Sequence, residues 1–303
     1  MKMFGKSLAL AVLISSAAVP AQAQTLKDFL DAAVARWNTP TDPFHVIGNV
    51  YYVGTKGIAS YLIIGPAGNI LIDTAMPEAT GQIKTNIGKL GFKLSDIKMI
   101  LNTHAHFDHT GGFAEIKHDT GAALVAGAAD KPLLEGGYYP GQETVSELKF
   151  PPVKVDRAVR DGDVVTLGSL GLTAHATPGH SPGCTTWTMD VAEGGEAHKI
   201  VFFCSATVAL NQLVKNPTYP GIIEDYRTTF KRAPALGGDV FLAPHPEMYN
   251  MEEKRAQIAE GKPNPFVKPG EFQAYVATLQ TAFETALTKQ EEAAGTAAPP
   301  VAR

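Results

Sequence analysis

The chain has 303 residues, 45% of them hydrophobic and 18% charged, with a formal net charge of −4 and a pI near 6.1. That length holds one large domain or two smaller ones, and the apolar fraction suffices for a substantial core. The mildly acidic balance speaks against a nucleic-acid or anionic-membrane partner, and no protein partner is implied.

At the start of the chain Lys2 and Lys6 form a basic region, Ser7 to Ala18 is apolar, and Ala21-Gln22-Ala23 fits a small-x-small cleavage pattern. Residues 1–23 are therefore expected to be a signal peptide, with Gln24 the first mature residue and the product soluble in the periplasm. The apolar run is short for a membrane span, and no other stretch approaches ~20 apolar residues. Leu26 to Val34 follows as a helix with Leu26, Phe29, Leu30 and Ala33 on one face, ended by Trp37-Asn38-Thr39-Pro40. Val46 to Val53, Ser60 to Ile64 and Asn69 to Ile72 read as strands, then Pro77 to Leu90 as a helix and Lys98 to Asn102 as a short buried strand. Beyond it come a helix over Gly112 to His118, a strand at Ala123-Leu124-Val125, and a long loop from Lys131 to Pro152 carrying Tyr138-Tyr139. Strand signals resume at Asp163 to Leu167, Leu172 to Ala176, Thr185 to Met189 and Lys199 to Phe203. Glu224 to Ala233 is helical, Val240-Phe241-Leu242 is a strand, and a long helix spans about Pro269 to Lys289. The Ala/Pro-rich residues 291–303 are expected to be a disordered tail. Two groups of strands, each with helices, suggest two sheets face to face in one unit over residues 24–290.

Between the strand ending at Asn102 and the next helix lies His104-Ala105-His106-Phe107-Asp108-His109, three imidazoles and a carboxylate in six residues. In extended chain, residues i and i+2 point to the same side, so His104 and His106 can share one ion. Asp108 and His109 lie past the bend and can face a second. Imidazole with carboxylate suits Zn²⁺. Of the nine His, two more sit on stiff turns at strand ends: His180 in Thr177-Pro178-Gly179-His180-Ser181-Pro182-Gly183, and His245 in Pro244-His245-Pro246. His45, His118, His175 and His198 lack that setting and read as ordinary polar side chains. The ligands then divide into His104, His106 and His180 for one zinc, and Asp108, His109 and His245 for the other.

Three protein ligands per ion leave positions open for water, the mark of a catalytic site. A water shared between two zincs loses a proton near pH ~7 and becomes a nucleophile. Asp108 can both ligate and orient it. No Gly-x-Ser-x-Gly elbow occurs in the chain, so the reaction class is metal-assisted hydrolysis. Asp73, ending a buried strand, either supports the metal loop or caps a turn. Cys184 and Cys204 are the two cysteines; in an oxidising compartment they can pair, or they can stand as two buried thiols.

The arrangement His104-x-His106-x-Asp108-His109, with Gly179-His180 and His245 downstream, resembles the metallo-β-lactamase superfamily. The resemblance implies an α/β fold, the αβ/βα four-layer sandwich of two mixed β-sheets with helices outside, and a hydrolase with two Zn²⁺ per chain. It does not fix the substrate, because glyoxalase II, lactonases, RNase Z and sulfatases share the pattern. Pro178 to Gly183, Tyr219 to Arg227, Pro244-His245-Pro246 and the opening Pro43-Phe44 to Tyr51-Tyr52-Val53-Gly54 are similar to subclass B3 metallo-β-lactamases, over about Leu26 to Lys289.

That likeness implies cleavage of the β-lactam amide of penicillins, cephalosporins and carbapenems by a metal-bound hydroxide. Ser205 stands where the thiolate-using subclass has a Cys ligand, and His109 takes over as ligand. Cys204, one position earlier, points away from the metal by strand alternation, and B3 members carrying a disulfide here imply its pairing with Cys184. Ser205 and Thr207 are implied to bind the substrate carboxylate, Thr207 replacing a commoner Ser. Glyoxalase II and the lactonases bridge their metals with an Asp on this strand, and Lys199 to Asn211 contains no Asp or Glu. A lactonase or thioesterase of the same superfamily is the alternative reading. A zinc-storage protein without turnover is the reading from another class.

Overall fold

The computed structural model describes residues 26–295. The expected signal peptide, residues 1–23, lies outside them. In chain order the elements are α1 (Leu26–Trp37), β1 (Phe44–Ile47), β2 (Val50–Tyr52), β3 (Tyr61–Ile63), β4 (Asn69–Ile72), α2 (Thr80–Lys89), β5 (Ile97–Leu101), α3 (Phe107–Thr110), α4 (Phe113–Thr120), β6 (Ala123–Gly127) and α5 (Lys131–Gly136). They continue with β7 (Arg157–Val159), β8 (Val164–Leu167), β9 (Leu170–Ala176), β10 (Thr185–Glu193), β11 (Glu196–Phe202), α6 (Ile222–Arg232), β12 (Val240–Leu242), α7 (Met251–Ala259) and α8 (Glu271–Ala294).

A seven-stranded sheet has the order β1-β2-β3-β4-β5-β6-β7, and a five-stranded sheet the order β12-β11-β10-β9-β8. Both are mixed. The first is antiparallel from β1 to β4 and parallel from β4 to β7. The second is antiparallel from β8 to β11 and closes with β12 parallel to β11.

The central strands are apolar on both faces, as strands covered on both sides must be. In β3, Tyr61 and Ile63 face the core between the sheets, whereas Leu62 faces the outer helices; in β4, Ile70 and Ile72 take the first side and Leu71 the second. The inter-sheet core brings these against Leu172, Trp187, Met189, Ile200 and Phe202 of the other sheet, with Tyr61 and Phe202 rings 5.3 Å apart. Ile83 and Ile87 of α2 and Phe113 and Ile116 of α4 cover the first sheet. On α8 the buried Phe272, Val276, Leu279, Phe283 and Leu287 recur every three or four residues, a helical stripe. Phe272 packs against Phe203 and Phe241 of the second sheet, with ring centroids 5.1 and 5.5 Å away. The result is the expected four-layer αβ/βα sandwich.

Some local expectations shift. The strand expected over Val46 to Val53 is the hairpin β1–β2, turning at Gly48 with φ +55°. The long loop expected from Lys131 opens with α5, whose apolar Leu133 and Leu134 are buried against the first sheet's outer core. Strand β7 and helix α7 carry too little apolar periodicity to be read from the sequence. Residues 291–294, expected in a disordered tail, extend α8, since Ala and Glu favour helix; residues 296–303 lie outside the described ones. Among the described residues no helix is long and apolar enough to cross a membrane.

Candidate metal centre

Four chain segments meet where β5, β11 and β12 end, the carboxyl edge at which parallel strands of α/β sheets place their ligands. The segment after β5 carries His104 and His106 in extended chain, with His106 at φ −108° and ψ 146° immediately before α3. That single turn swings Asp108 and His109 to the other side. The β9–β10 loop contributes His180, and the turn after β12 contributes His245.

These residues assemble as two compact sets: His104, His106 and His180 in one, Asp108, His109 and His245 in the other, each with its donor atoms within 4.8 Å of one another. Ring centroids in the first set lie 4.5–4.7 Å apart. The His104 and His109 rings, 4.4 Å apart, join the two sets. Asp108 Oδ2 lies 3.2 Å from His109 Nε2 and 3.4 Å from His245 Nε2.

Hydrogen bonds behind the rings fix their tautomers and leave the facing nitrogens as lone pairs. His180 Nδ1 donates to Thr207 O at 2.7 Å, and His245 Nδ1 to Gly57 O at 3.2 Å. His104 Nδ1 lies 3.0 Å from Thr103 Oγ1. The Nε2 atoms of His104 and His106 and the Nδ1 of His109 are buried with no protein partner. Buried polar atoms are rarely left unpaired, and a cation on His104 Nε2, whose ring partner Nδ1 already contacts Thr103 Oγ1, would satisfy it. Burial, followed by the charge of neighbouring imidazoles, holds His104 and His106 well below the usual range, and burial brings His180 down to about 4. All three are neutral donors at pH 7. Burial works to raise Asp108, yet the facing His109 and His245 outweigh it and hold the carboxyl well below its usual range. Burial works to lower His109 in turn, and Asp108 raises it. The donor set fits a divalent metal.

Two buried carboxylates hold the loops. Asp73, at φ +53°, accepts from Thr103 N at 2.9 Å and Thr103 Oγ1 at 2.6 Å, so it supports the residue preceding His104. Asp130, at the start of α5, accepts from Ala105 N, Ser181 Oγ and Gly183 N. Burial raises both carboxyls to about 6. The Asn211 amide donates to Gly179 O and His180 O, while Tyr226 Oη donates to Thr207 O. Gly179, at φ +129°, is needed here: a Cβ would stand 2.8 Å from the Tyr226 ring.

Sequence profiles of the metallo-beta-lactamase superfamily match residues 53–245. Among solved structures, BJP-1, a subclass B3 metallo-beta-lactamase of Bradyrhizobium japonicum, is 62% identical, covers 86% of this chain and 99% of its own, and superposes with a TM-score of 0.85. The chain is a subclass B3 metallo-β-lactamase by family. The native FEZ-1 metallo-beta-lactamase from Legionella gormanii is 41% identical over 84% of this chain and 98% of its own, with a TM-score of 0.81. Among curated sequences, the hydroxyacylglutathione hydrolase of Methylobacterium sp. (strain 4-46) is 36% identical over 42% of this chain. The chain spans about two fifths of that relative's length (41%), so the match covers only part of it.

In this B3 family member the cysteines are joined, Cys184 to Cys204, with Cα atoms 5.8 Å apart. The bond ties the start of β10 to the segment carrying Ser205. Both partners are buried, and Cys204 Sγ lies 3.2 Å from Thr103 O, beside His104. The centre opens into a groove of about 260 Å³ lined by Leu30, Trp37, Phe107, Tyr139, Thr207, Ala209 and Leu210 beside the His and Asp donors. Thr207 reaches the groove; Ser205, 2% exposed, lies behind it with its Oγ 3.3 Å from Thr207 Oγ1. Tyr139 stacks on the His106 ring at 4.0 Å, whereas Tyr138 is not among the lining residues. The sequence reading missed Trp37, whose ring lies 5.3 Å from that of His245, and also Asp130 and Asn211. None of the three carries a spacing signal.

Proposed function

We propose that this protein is an exported zinc β-lactamase that hydrolyses the amide bond of penicillins, cephalosporins and carbapenems. The observation that carries the reading is the pair of three-donor sets on the groove floor, in a chain 62% identical to a named subclass B3 enzyme over 99% of that enzyme's length. His104, His106 and His180 would hold one Zn²⁺, and Asp108, His109 and His245 the other. Zinc bound there supplies Lewis acidity toward a carbonyl and lowers the pKa of a water toward ~7.

The chain's own residues do the rest. Asp108 orients the attacking water and takes its proton. As the new C–O bond forms, the lactam C–N bond breaks, and the proton passes to the departing nitrogen. Thr207 Oγ offers a hydroxyl to the substrate carboxylate, and Ser205 fixes that hydroxyl from behind. Leu30, Trp37, Phe107 and Leu210 form apolar walls that seat the substrate's side chains and limit water. The disulfide supports an oxidising compartment, in keeping with export to the periplasm.

Partial likeness to hydroxyacylglutathione hydrolases favours a thioesterase as the second reading. Against it, the chain from Lys199 to Asn211 brings hydroxyls rather than a carboxylate to the centre. Imipenem and nitrocefin hydrolysis, followed beside an S-acylglutathione and an acyl-homoserine lactone, separates the two. Turnover of the β-lactams that a chelator abolishes and Zn²⁺ restores is expected. A protein carrying full zinc and turning over no β-lactam would overturn the assignment.

A further inference from the structure

We infer that Asp130 is a positioning residue that locks the two loops of the His104/His106/His180 set in register and so sets that set's affinity for metal. Its carboxylate is completely buried. Oδ2 accepts from Ala105 N at 2.8 Å and from Ser181 Oγ at 2.7 Å, and Oδ1 accepts from Gly183 N at 2.6 Å. Ala105 lies between His104 and His106, and Ser181 directly follows His180. One side chain therefore fixes two loops separated by some 75 residues of chain, which approach one another only in the folded protein.

The position makes this use conspicuous. Asp130 occupies the N-cap of α5, where an Asp ordinarily accepts from its own helix's N–H groups; here it makes no such bond. Its acceptor capacity is directed across to the metal loops instead. All three donors are neutral, so no ion pair accounts for the burial of the carboxylate. The opposing backbone is shaped to it as well: a Cβ on Gly183 would stand 2.2 Å from Asp130 N and 2.7 Å from Asp130 Cγ. By contrast, none of these bonds reaches the Asp108/His109/His245 set, which the backbone of α3 and the turn after β12 hold.

The inference rests on the proposed metal-binding role of the two sets. Its test is a Zn²⁺ titration of chelator-stripped protein against a chromophoric competitor, with melting of the stripped protein as the control. Asp130→Asn keeps the shape but turns one acceptor into a donor facing N–H groups; Ser181→Ala removes one of the three bonds and leaves the carboxylate. Supporting groups of this kind typically account for about 10–100-fold in metal affinity. Asp130→Asn is expected to weaken one of two binding steps by about tenfold or more and the other by less than about threefold, with Ser181→Ala intermediate. Wild-type affinity at both steps in both variants overturns the inference alone. Equal weakening of both steps, in proportion to a lowered melting temperature of the stripped protein, also overturns it and leaves Asp130 a purely structural residue. A wild-type protein that binds no Zn²⁺ overturns the metal assignment itself.

Discussion

Replacing both members of the Cys184–Cys204 bridge by alanine tests how much of the site's frame depends on a covalent tie. The bridge spans a sequence separation of 20 residues. Chain-entropy reasoning then gives a loss of about 3 kcal/mol, since the unfolded chain regains the freedom of a 20-residue loop. Alanine is the right replacement because the two positions are 1% and 0% exposed and a serine would bury an extra hydroxyl. For a domain of this size about 3 kcal/mol corresponds to a fall in Tm of roughly 6–12 °C. The assay is thermal unfolding of chelator-stripped protein by circular dichroism, so that bound metal adds nothing to either curve. A shift below about 2 °C would refute the reasoning, because it would mean that the closed loop is already ordered in the unfolded ensemble. Reducing agent applied to the wild-type protein should reproduce the double variant's melting temperature.

Other outcomes follow from particular contacts. Chelator-stripped protein should take up two equivalents of Zn²⁺, each adding about 2.7 kcal/mol of stability at a free concentration of 100 Kd; elemental analysis and melting together check this. Trp187, fully buried, donates from Nε1 to Asn102 O at 3.0 Å. Trp187→Phe leaves that carbonyl without its donor and should cost about 1–3 kcal/mol, against about 3–5 kcal/mol for Trp187→Ala, both read by urea unfolding. Trp37→Ala removes an apolar wall beside His245. It should raise KM for a substrate with a large apolar side chain by about fivefold, the equivalent of ~1 kcal/mol of lost burial, while kcat changes by less than about twofold. An unchanged KM would remove Trp37 from the substrate's path.

Much of the centre was legible because its parts are local in sequence. His104 to His109 lie within six residues, and strand alternation followed by a bend is enough to divide them between two sides. His180 and His245 stood out through the Pro and Gly residues that stiffen their turns. Less was legible where several weak, distant contacts make the feature. Asp130 sits in an unremarkable Ala-Ala-Asp-Lys stretch, and its partners lie on two other loops. Trp37 reads as the end of a surface helix until the fold lays that helix beside His245. Ser205, expected beside Thr207 at the substrate carboxylate, is 2% exposed with its Oγ 3.3 Å from Thr207 Oγ1, and that degree of burial is not written in the segment's residue types.

By itself, then, the sequence determined the donor types, their local spacing, and the apolar periodicity that forces two doubly covered sheets. Those are properties of residue chemistry and of backbone repeats of 2 and 3.6, which act over a few residues. Only the tertiary structure decided which rings face one another, which nitrogens remain unpaired, which carboxylates hold the loops, and which side chains wall the groove. These depend on the relative placement of strands β5, β9 to β12 and helix α1. That placement is set by packing between the layers, which no short stretch of sequence encodes.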